Sequence, residues 1–207
     1  MRKKKGFTLM ELLVVIAIIG VLTGAAVFSM RYMTKDTSVT NGVNSIVALG
    51  NYAQKYAISN SKDDIVMSLS NSGEDLFVRI FEDKDGNSVF SSGDQLILSR
   101  VVKKVNYTAP PRVNGKYVLP CGNFTVSNLT SAEASGVGIC ITPSITFPEI
   151  RYNRLGIPVD PFGAPMPCHG FIVLTSSAGG SLRGVEFNQS GFVSGCRWSE
   201  SLKRWIK

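Results

Sequence analysis

A single carboxylate, Glu11, lies five places into a stretch that is otherwise apolar, and its chemistry constrains this 207-residue chain more than any other side chain does. From Leu12 to Phe28 only Thr23 and glycines interrupt the hydrophobic residues. Wound as a helix, that run meets the roughly 20 residues a bilayer core demands at about 1.5 Å of rise each. An ionised carboxylate at such depth is costly unless a cation meets it. The chemistry Glu11 offers is charge pairing in a low-dielectric setting.

Other groups able to do chemistry lie in the second and later parts of the chain. Asp83, Asp85, Asn87 and Asp94 fall at the first, third, fifth and twelfth positions of an EF-hand-like frame, where hard oxygens converge on calcium. Gly86 stands at the fourth position instead of the sixth, the twelfth ligand is Asp rather than Glu, and no helices flank the loop. The competing reading is a hairpin tip, because Asp-Gly-Asn is ordinary turn chemistry. A C-terminal stretch from Gly195 to Lys207 mixes Arg197, Lys203, Arg204 and Lys207 with Trp198 and Trp205, a combination that grips phosphates and stacks on bases. Its competing reading docks both tryptophans on the head and leaves the cations solvated.

Catalysis finds little support. HExxH, a P-loop and a Gly-x-Ser-x-Gly elbow are all missing, and one histidine, His169, limits Ser-His and Cys-His chemistry, so no catalytic residue is assigned. Cys121, Cys140, Cys168 and Cys196 lack the short clips of zinc sites, and no metal site is assigned to them. All four fall in the half of the chain expected outside the cytoplasm, where disulfides are the default. Four cysteines allow three pairings; sequence proximity favours Cys121–Cys140 with Cys168–Cys196.

The elements that position Glu11 begin with a basic leader, Arg2-Lys3-Lys4-Lys5, ahead of Gly6. Cations beside an apolar span stay cytoplasmic and leave the remainder outside. The formal charge is +7, of which those four residues supply more than half, so the chain without them is only mildly basic. A secretory signal cleaved near Gly24-Ala25-Ala26, or a plain anchor, would share the basic start and apolar centre. Neither accounts for a glutamate just after Gly-Phe-Thr-Leu.

The run Gly6-Phe7-Thr8-Leu9-Met10-Glu11-Leu12-Leu13-Val14-Val15-Ile16 resembles the processing site and first helix of type IV pilins and type II secretion pseudopilins. The resemblance implies cleavage after Gly6 by a prepilin peptidase, N-methylation of Phe7, and assembly through an inner-membrane platform. It further implies that Glu11 meets the terminal amine of a neighbouring subunit. That amine titrates near pH ~8 when unperturbed, so it is cationic where the carboxylate is anionic.

Past Arg31 the helix is expected to continue with Val39, Val43, Ile46, Val47, Gly50, Ala53 and Ala57 on one face, ending at Asn60–Asp64. Strand-type runs follow. Leu76–Phe81 and Gln95–Val102 bracket a polar loop as a hairpin, and further strands are expected at Tyr117–Leu119, Gly138–Thr142, Ile145–Tyr152, Gly170–Thr175, Leu182–Phe187 and Phe192–Ser194. Ile145-Thr146-Phe147, Asn153-Arg154-Leu155-Gly156 and the stretch from Gly170 to Val193 are similar to the C-terminal region of GspH/FimT-type minor pseudopilins and pilins. Some FimT-like proteins are associated with DNA uptake through paired arginines after a glycine; here only Arg197 fits, with Cys196 before it.

The expected fold is α+β, a pilin fold whose long N-terminal helix packs against an antiparallel β head. Residues 1–6 form the cleaved leader, 7–30 the transmembrane and filament-core half of the helix, 31–60 its amphipathic half, and 61–207 a periplasmic head. The expected function is that of a structural minor pilin or pseudopilin at the tip or in priming, single-pass in the bacterial inner membrane before it enters a filament. Its partners would be other pilins, the peptidase, the platform and lipid. The alternatives are a filament-displayed DNA-binding subunit and a major pilin. No cofactor is expected apart from the calcium candidate.

Overall fold

A computed structural model describes residues 9–121, 125–126, 149–160, 163–166, 170–177 and 180–207. The first element is one helix, α1 (Leu9–Ser59), 51 residues long. Its C-terminus is closed locally: Ser61 takes a positive φ, the Lys62 amide donates to the Ala57 carbonyl at 3.0 Å, and the Asn60 side chain donates to Tyr56 O at 3.0 Å. These bonds satisfy carbonyls that the end of a helix leaves without intrahelical donors.

Thirteen strands follow among the described residues: β1 (Ile65–Ser72), β2 (Asp75–Glu82), β3 (Gln95–Val102), β4 (Val105–Tyr107), β5 (Arg112–Val113), β6 (Lys116–Val118), β7 (Thr125–Val126), β8 (Glu149–Tyr152), β9 (Pro158–Val159), β10 (Gly170–Ser176), β11 (Arg183–Phe187), β12 (Val193–Ser199) and β13 (Arg204–Ile206). They make a sheet of order β3-β2-β1-β8-β9, a second of order β13-β12-β11-β10-β4, and a small sheet β5-β6-β7. Every pairing is antiparallel. The long hairpin β2–β3 matches the strand pair read from the pattern. The expected strand at Ile145–Tyr152 is described only as β8, and the one at Gly138–Thr142 lies outside the described residues.

The second half of α1 earns its place by burial. Val39, Val43, Ile46, Leu49, Ala53 and Ala57 are buried against Ile65, Met67 and Leu69 of β1, Ile172 and Leu174 of β10, and Val185 and Phe187 of β11. Small residues set the spacing. A Cβ on Gly50 would stand 2.8 Å from a Val193 methyl, and one on Gly195 2.7 Å from a Val43 methyl, so helix and strand meet where neither can carry a side chain. Near the far end Gln54 Nε2 donates to the carbonyls of Gly156 and Ser190, each at 3.1 Å.

Period-two alternation splits β10 between two cores. Ile172 and Leu174 face α1, while Phe171 and Val173 join Val118, Leu119, Cys196, Trp198 and Trp205 on the opposite side of the sheet. The molecule is thus α+β, a long helix laid on antiparallel sheets, consistent with the pilin fold expected from the sequence.

Candidate functional site

The first surface with functional potential is the N-terminal half of α1. Leu9–Val27, 19 residues, is apolar and long enough to cross a membrane, and none of it is buried within the protein. Its side chains stand free of the head: Leu9 is 82% exposed, Val21 74% and Leu22 64%. Burying each such Leu, Ile or Val is favourable by roughly 1.5–3 kcal/mol, so this half of the helix is suited to an apolar setting such as lipid or other helices. Glu11 lies on the first turn of that span. Gly6 and Phe7 lie outside the described residues.

The cysteines require a correction. Cys121 is bonded to Cys196, 75 positions further along the chain with Cα atoms 5.5 Å apart, which overturns both pairs that proximity favoured, Cys121–Cys140 and Cys168–Cys196. The reason is topological. Cys196 belongs to β12 and faces the second core, and the chain leaving β6 crosses that same face, where Pro120 packs over Gly184 beside the Cys196 sulfur. Sequence proximity carries no information about which face of a sheet a later strand presents. Cys140 and Cys168 lie outside the described residues, as does His169.

At the acidic loop the structure does bring Asp83, Asp85 and Asp94 together, with one carboxylate oxygen of each within 4.8 Å of the others. Their oxygens are already engaged. Asp83 accepts from the amides of Gly86 (2.9 Å) and Ser88 (2.8 Å), Asp94 from those of Lys84 (3.0 Å) and Ser91 (2.7 Å), and Asp85 from Asn87 Nδ2 (2.7 Å) and Ser91 Oγ (3.1 Å). Asn87 Oδ1 takes the Val89 amide at 2.6 Å. The amides of Ser91 and Lys84 hold the Asp94 carboxyl below its ordinary value against the opposing effect of desolvation, the largest single influence on it.

Arg151, which the sequence did not single out, anchors this loop. It is buried on β8 and donates through one guanidinium nitrogen to Asp83 and to Ser88 Oγ (2.6 Å), and through the other to Asp64 (2.7 Å). A buried cation needs such partners, and a buried Asp83 needs Arg151. A signal was present: Arg151 alternates with apolar residues in a strand, where a charge implies an acid facing it.

The C-terminal stretch forms strands rather than a free tail. Trp198 of β12 and Trp205 of β13 are register partners with rings 5.5 Å apart, and both are buried. Trp205 Nε1 donates to Val118 O at 2.8 Å and Trp198 Nε1 to Glu200 at 2.6 Å. Their faces are taken up by the core and not offered to bases. Lys203 pairs with Glu200, and Lys207 lies 3.6 Å from Glu186. Arg197 and Arg204 are exposed.

Arg197 borders a cleft of about 360 Å³ between α1 and the second sheet, lined by Thr40, Asn44, Arg183 and Lys207 among others. Arg183 is its register partner on β11 and reaches Asp36 of α1 at 3.1 Å. A hydrogen bond from Ser181 Oγ, followed by the hydrogen bond and charge of Arg183, holds the Asp36 carboxyl below its ordinary value.

Residues 1–27 match the prokaryotic N-terminal methylation motif. Two curated fimbrial proteins of Pseudomonas aeruginosa are each 43% identical over 54 residues, 26% of this chain and 35% of theirs. The chain thus spans about a third of the length of these relatives. No solved structure matches it. The motif, the exposed apolar span and the antiparallel head together make this chain similar to type IV pilins, with an N-terminal methylation motif leading into a long helix and an α+β head.

Proposed function

We propose that this protein is a structural minor pilin or pseudopilin subunit, cleaved after Gly6 by a prepilin peptidase, methylated on Phe7, and drawn from the inner membrane into a filament. The observation that carries the reading is the division of α1: Val39 to Ala57 is sealed on the head, whereas Leu9–Val27 has no protein cover. Lipid covers that span before assembly and neighbouring helices cover it afterwards. Both environments are apolar, so the transfer between them is nearly balanced, and the charge pair decides its direction.

Glu11 supplies the negative member of that pair. In a packed core of low dielectric its attraction to a terminal amine is several times stronger than in water. The amine that cleavage creates at Phe7 is the natural cation. A relay follows in which each entering subunit offers its amine to the Glu11 of the subunit before it. Two further features favour a minor subunit over a shaft-forming one: the large two-core head and the similarity of its C-terminal region to GspH/FimT-type sequences.

The acidic loop is best read as a structural clamp, supported by the amide and guanidinium donors that already meet Asp83, Asp85 and Asp94. A calcium ion would have to displace or share those donors. Calorimetric titration of the full chain in detergent distinguishes the two, since millimolar binding that Asp85→Asn removes would assign the loop to the cation.

Intact mass of protein extracted from the membrane tests the main reading. The expected product lacks residues 1–6 and carries one added methyl group. A chain starting near Val27, or one left untrimmed, refutes it.

A further inference from the structure

The helix fixes which end of the head faces the membrane, and the strands running alongside it show what that end carries. Val193 lies against Gly50, Gly195 against Val43, and Arg197 shares a cleft with Thr40, so β12 descends toward the apolar span as α1 rises from it. Beyond Arg197, Trp198 and Glu200 share a second cleft with Asp36. The turn joining β12 to β13, residues 200–203, therefore lies at the membrane-facing end of the second sheet, beside the entry to β11 where Ser181 bonds Asp36.

Asp36 is nine residues past Val27, about 13 Å along the helix, and Glu200 at the start of the turn borders the same cleft as Asp36. Headgroups occupy roughly 5–7 Å beyond the hydrocarbon on each side. Long side chains on the turn bridge the remaining gap. The turn has a composition suited to that layer: Leu202 is 54% exposed at its tip, with Lys203 and Arg204 beside it and Arg197 just above. Neither Arg197 nor Arg204 forms a salt bridge among the described residues. Exposed Lys103 and Lys104 occupy the β3–β4 turn, held to the same end by the Ser177 amide bonding Lys104 O at 3.1 Å. Acids are present too, Glu200 on Lys203, Asp75 on the Lys104 amide, Asp36 on Arg183 and exposed Glu74, yet Arg197, Lys203, Arg204, Lys103, Lys104 and Arg183 outnumber them.

We propose that this end of the head docks on anionic phospholipid headgroups while the helix is still in the membrane, Leu202 entering the interface and Arg197, Lys203 and Arg204 meeting phosphates. The contact rests on the membrane-anchored reading above and adds to it a resting state: a head held down on the bilayer until assembly lifts it. Attraction of this kind requires a negatively charged surface and weakens with salt.

The test uses the full chain reconstituted in nanodiscs of phosphatidylcholine alone or mixed with phosphatidylglycerol, followed by amide hydrogen exchange. Amides of residues 200–204 are expected to exchange about fivefold more slowly in the anionic discs, and high salt or the variant Lys203→Gln/Arg204→Gln should abolish the difference. Exchange in β1 and β10 reports whether the variant is folded; if it is not, the salt dependence of the unaltered chain decides. Equal exchange in both lipids overturns the proposal while leaving the anchor intact. Slowing produced by added duplex DNA in neutral discs, without any effect of phosphatidylglycerol, overturns it in favour of nucleic acid. Failure of the chain to enter discs of either lipid overturns both readings.

Discussion

Replacing Cys121 and Cys196 together by alanine should destabilise the head more than any other pair of conservative changes. The bond joins residues 75 positions apart, and confining an unfolded chain by that much is worth about 4.5 kcal/mol on the loop-entropy relation. Cys196 is also 4% exposed within the second core, so its loss removes packing as well. In a head of this size each kcal/mol moves Tm by roughly 2–4 °C, which gives an expected drop of about 9–18 °C. The assay is thermal unfolding of the full chain in detergent, followed by tryptophan fluorescence. Both tryptophans of the chain, Trp198 and Trp205, lie in the core that contains Cys196, so the signal reports this unit and not the apolar helix. Peptide mapping without reductant should recover Cys121 linked to Cys196. A Tm within about 2 °C of the unaltered protein, or a map joining Cys121 to Cys140, would refute the topology on which the number rests.

Four other outcomes are expected. Glu11→Ala should insert into the membrane normally yet enter filaments poorly, as scored by shearing and immunoblot; normal incorporation contradicts the role given to Glu11. Arg151→Met leaves the carboxylate of Asp83 buried without its cation and should cost about 3–5 kcal/mol in chemical denaturation, whereas a change under 1 kcal/mol would show the loop to be held by its amides alone. Gly50→Val places methyl groups where Val193 already packs and should cost about 1–3 kcal/mol or more by the same measurement. The Asp36 carboxyl is depressed in the folded protein, so its stabilisation is complete above the ordinary value of 3.8 and disappears as pH falls below that toward the depressed folded value. Asp36→Asn should accordingly flatten the acid limb of a stability curve below pH 3.8, and an unchanged limb would remove Asp36 from the account.

The features legible in the sequence are those with a strong one-dimensional signal. The apolar run and its lone glutamate announce themselves by composition, and the spacing of Val39, Val43, Ile46, Ala53 and Ala57 foretells the buried face of α1. The β2–β3 hairpin follows from two alternating runs around a polar loop. The short pieces β4, β5, β7, β9 and β13 carry no such signal, because two or three residues cannot display a period; their partners define them. Cys121 and Cys196 illustrate the same limit. Their encounter depends on which face of β12 looks toward the chain leaving β6, and that follows from the order of the second sheet and not from spacing. Trp198 and Trp205 were readable as either exposed or docked until a strand register paired them.

Arg151 and Glu11 place the same physical demand on two different scales. Each is a charge in a setting that does not tolerate one alone. Within the head, folding supplies the answer: Asp83, Asp64 and Ser88 converge on the guanidinium, and a loop is fixed as a consequence. At Glu11, the apolar span around the carboxylate has no cover from the head, so its setting is completed by lipid or, in the proposed filament, by neighbouring helices. A charge that meets a counter-charge on another molecule makes association specific in register, because apolar helices alone slide past one another at little cost. In the proposed filament, hydrophobic burial therefore gathers the helices, and the carboxylate sets where along their length they stop.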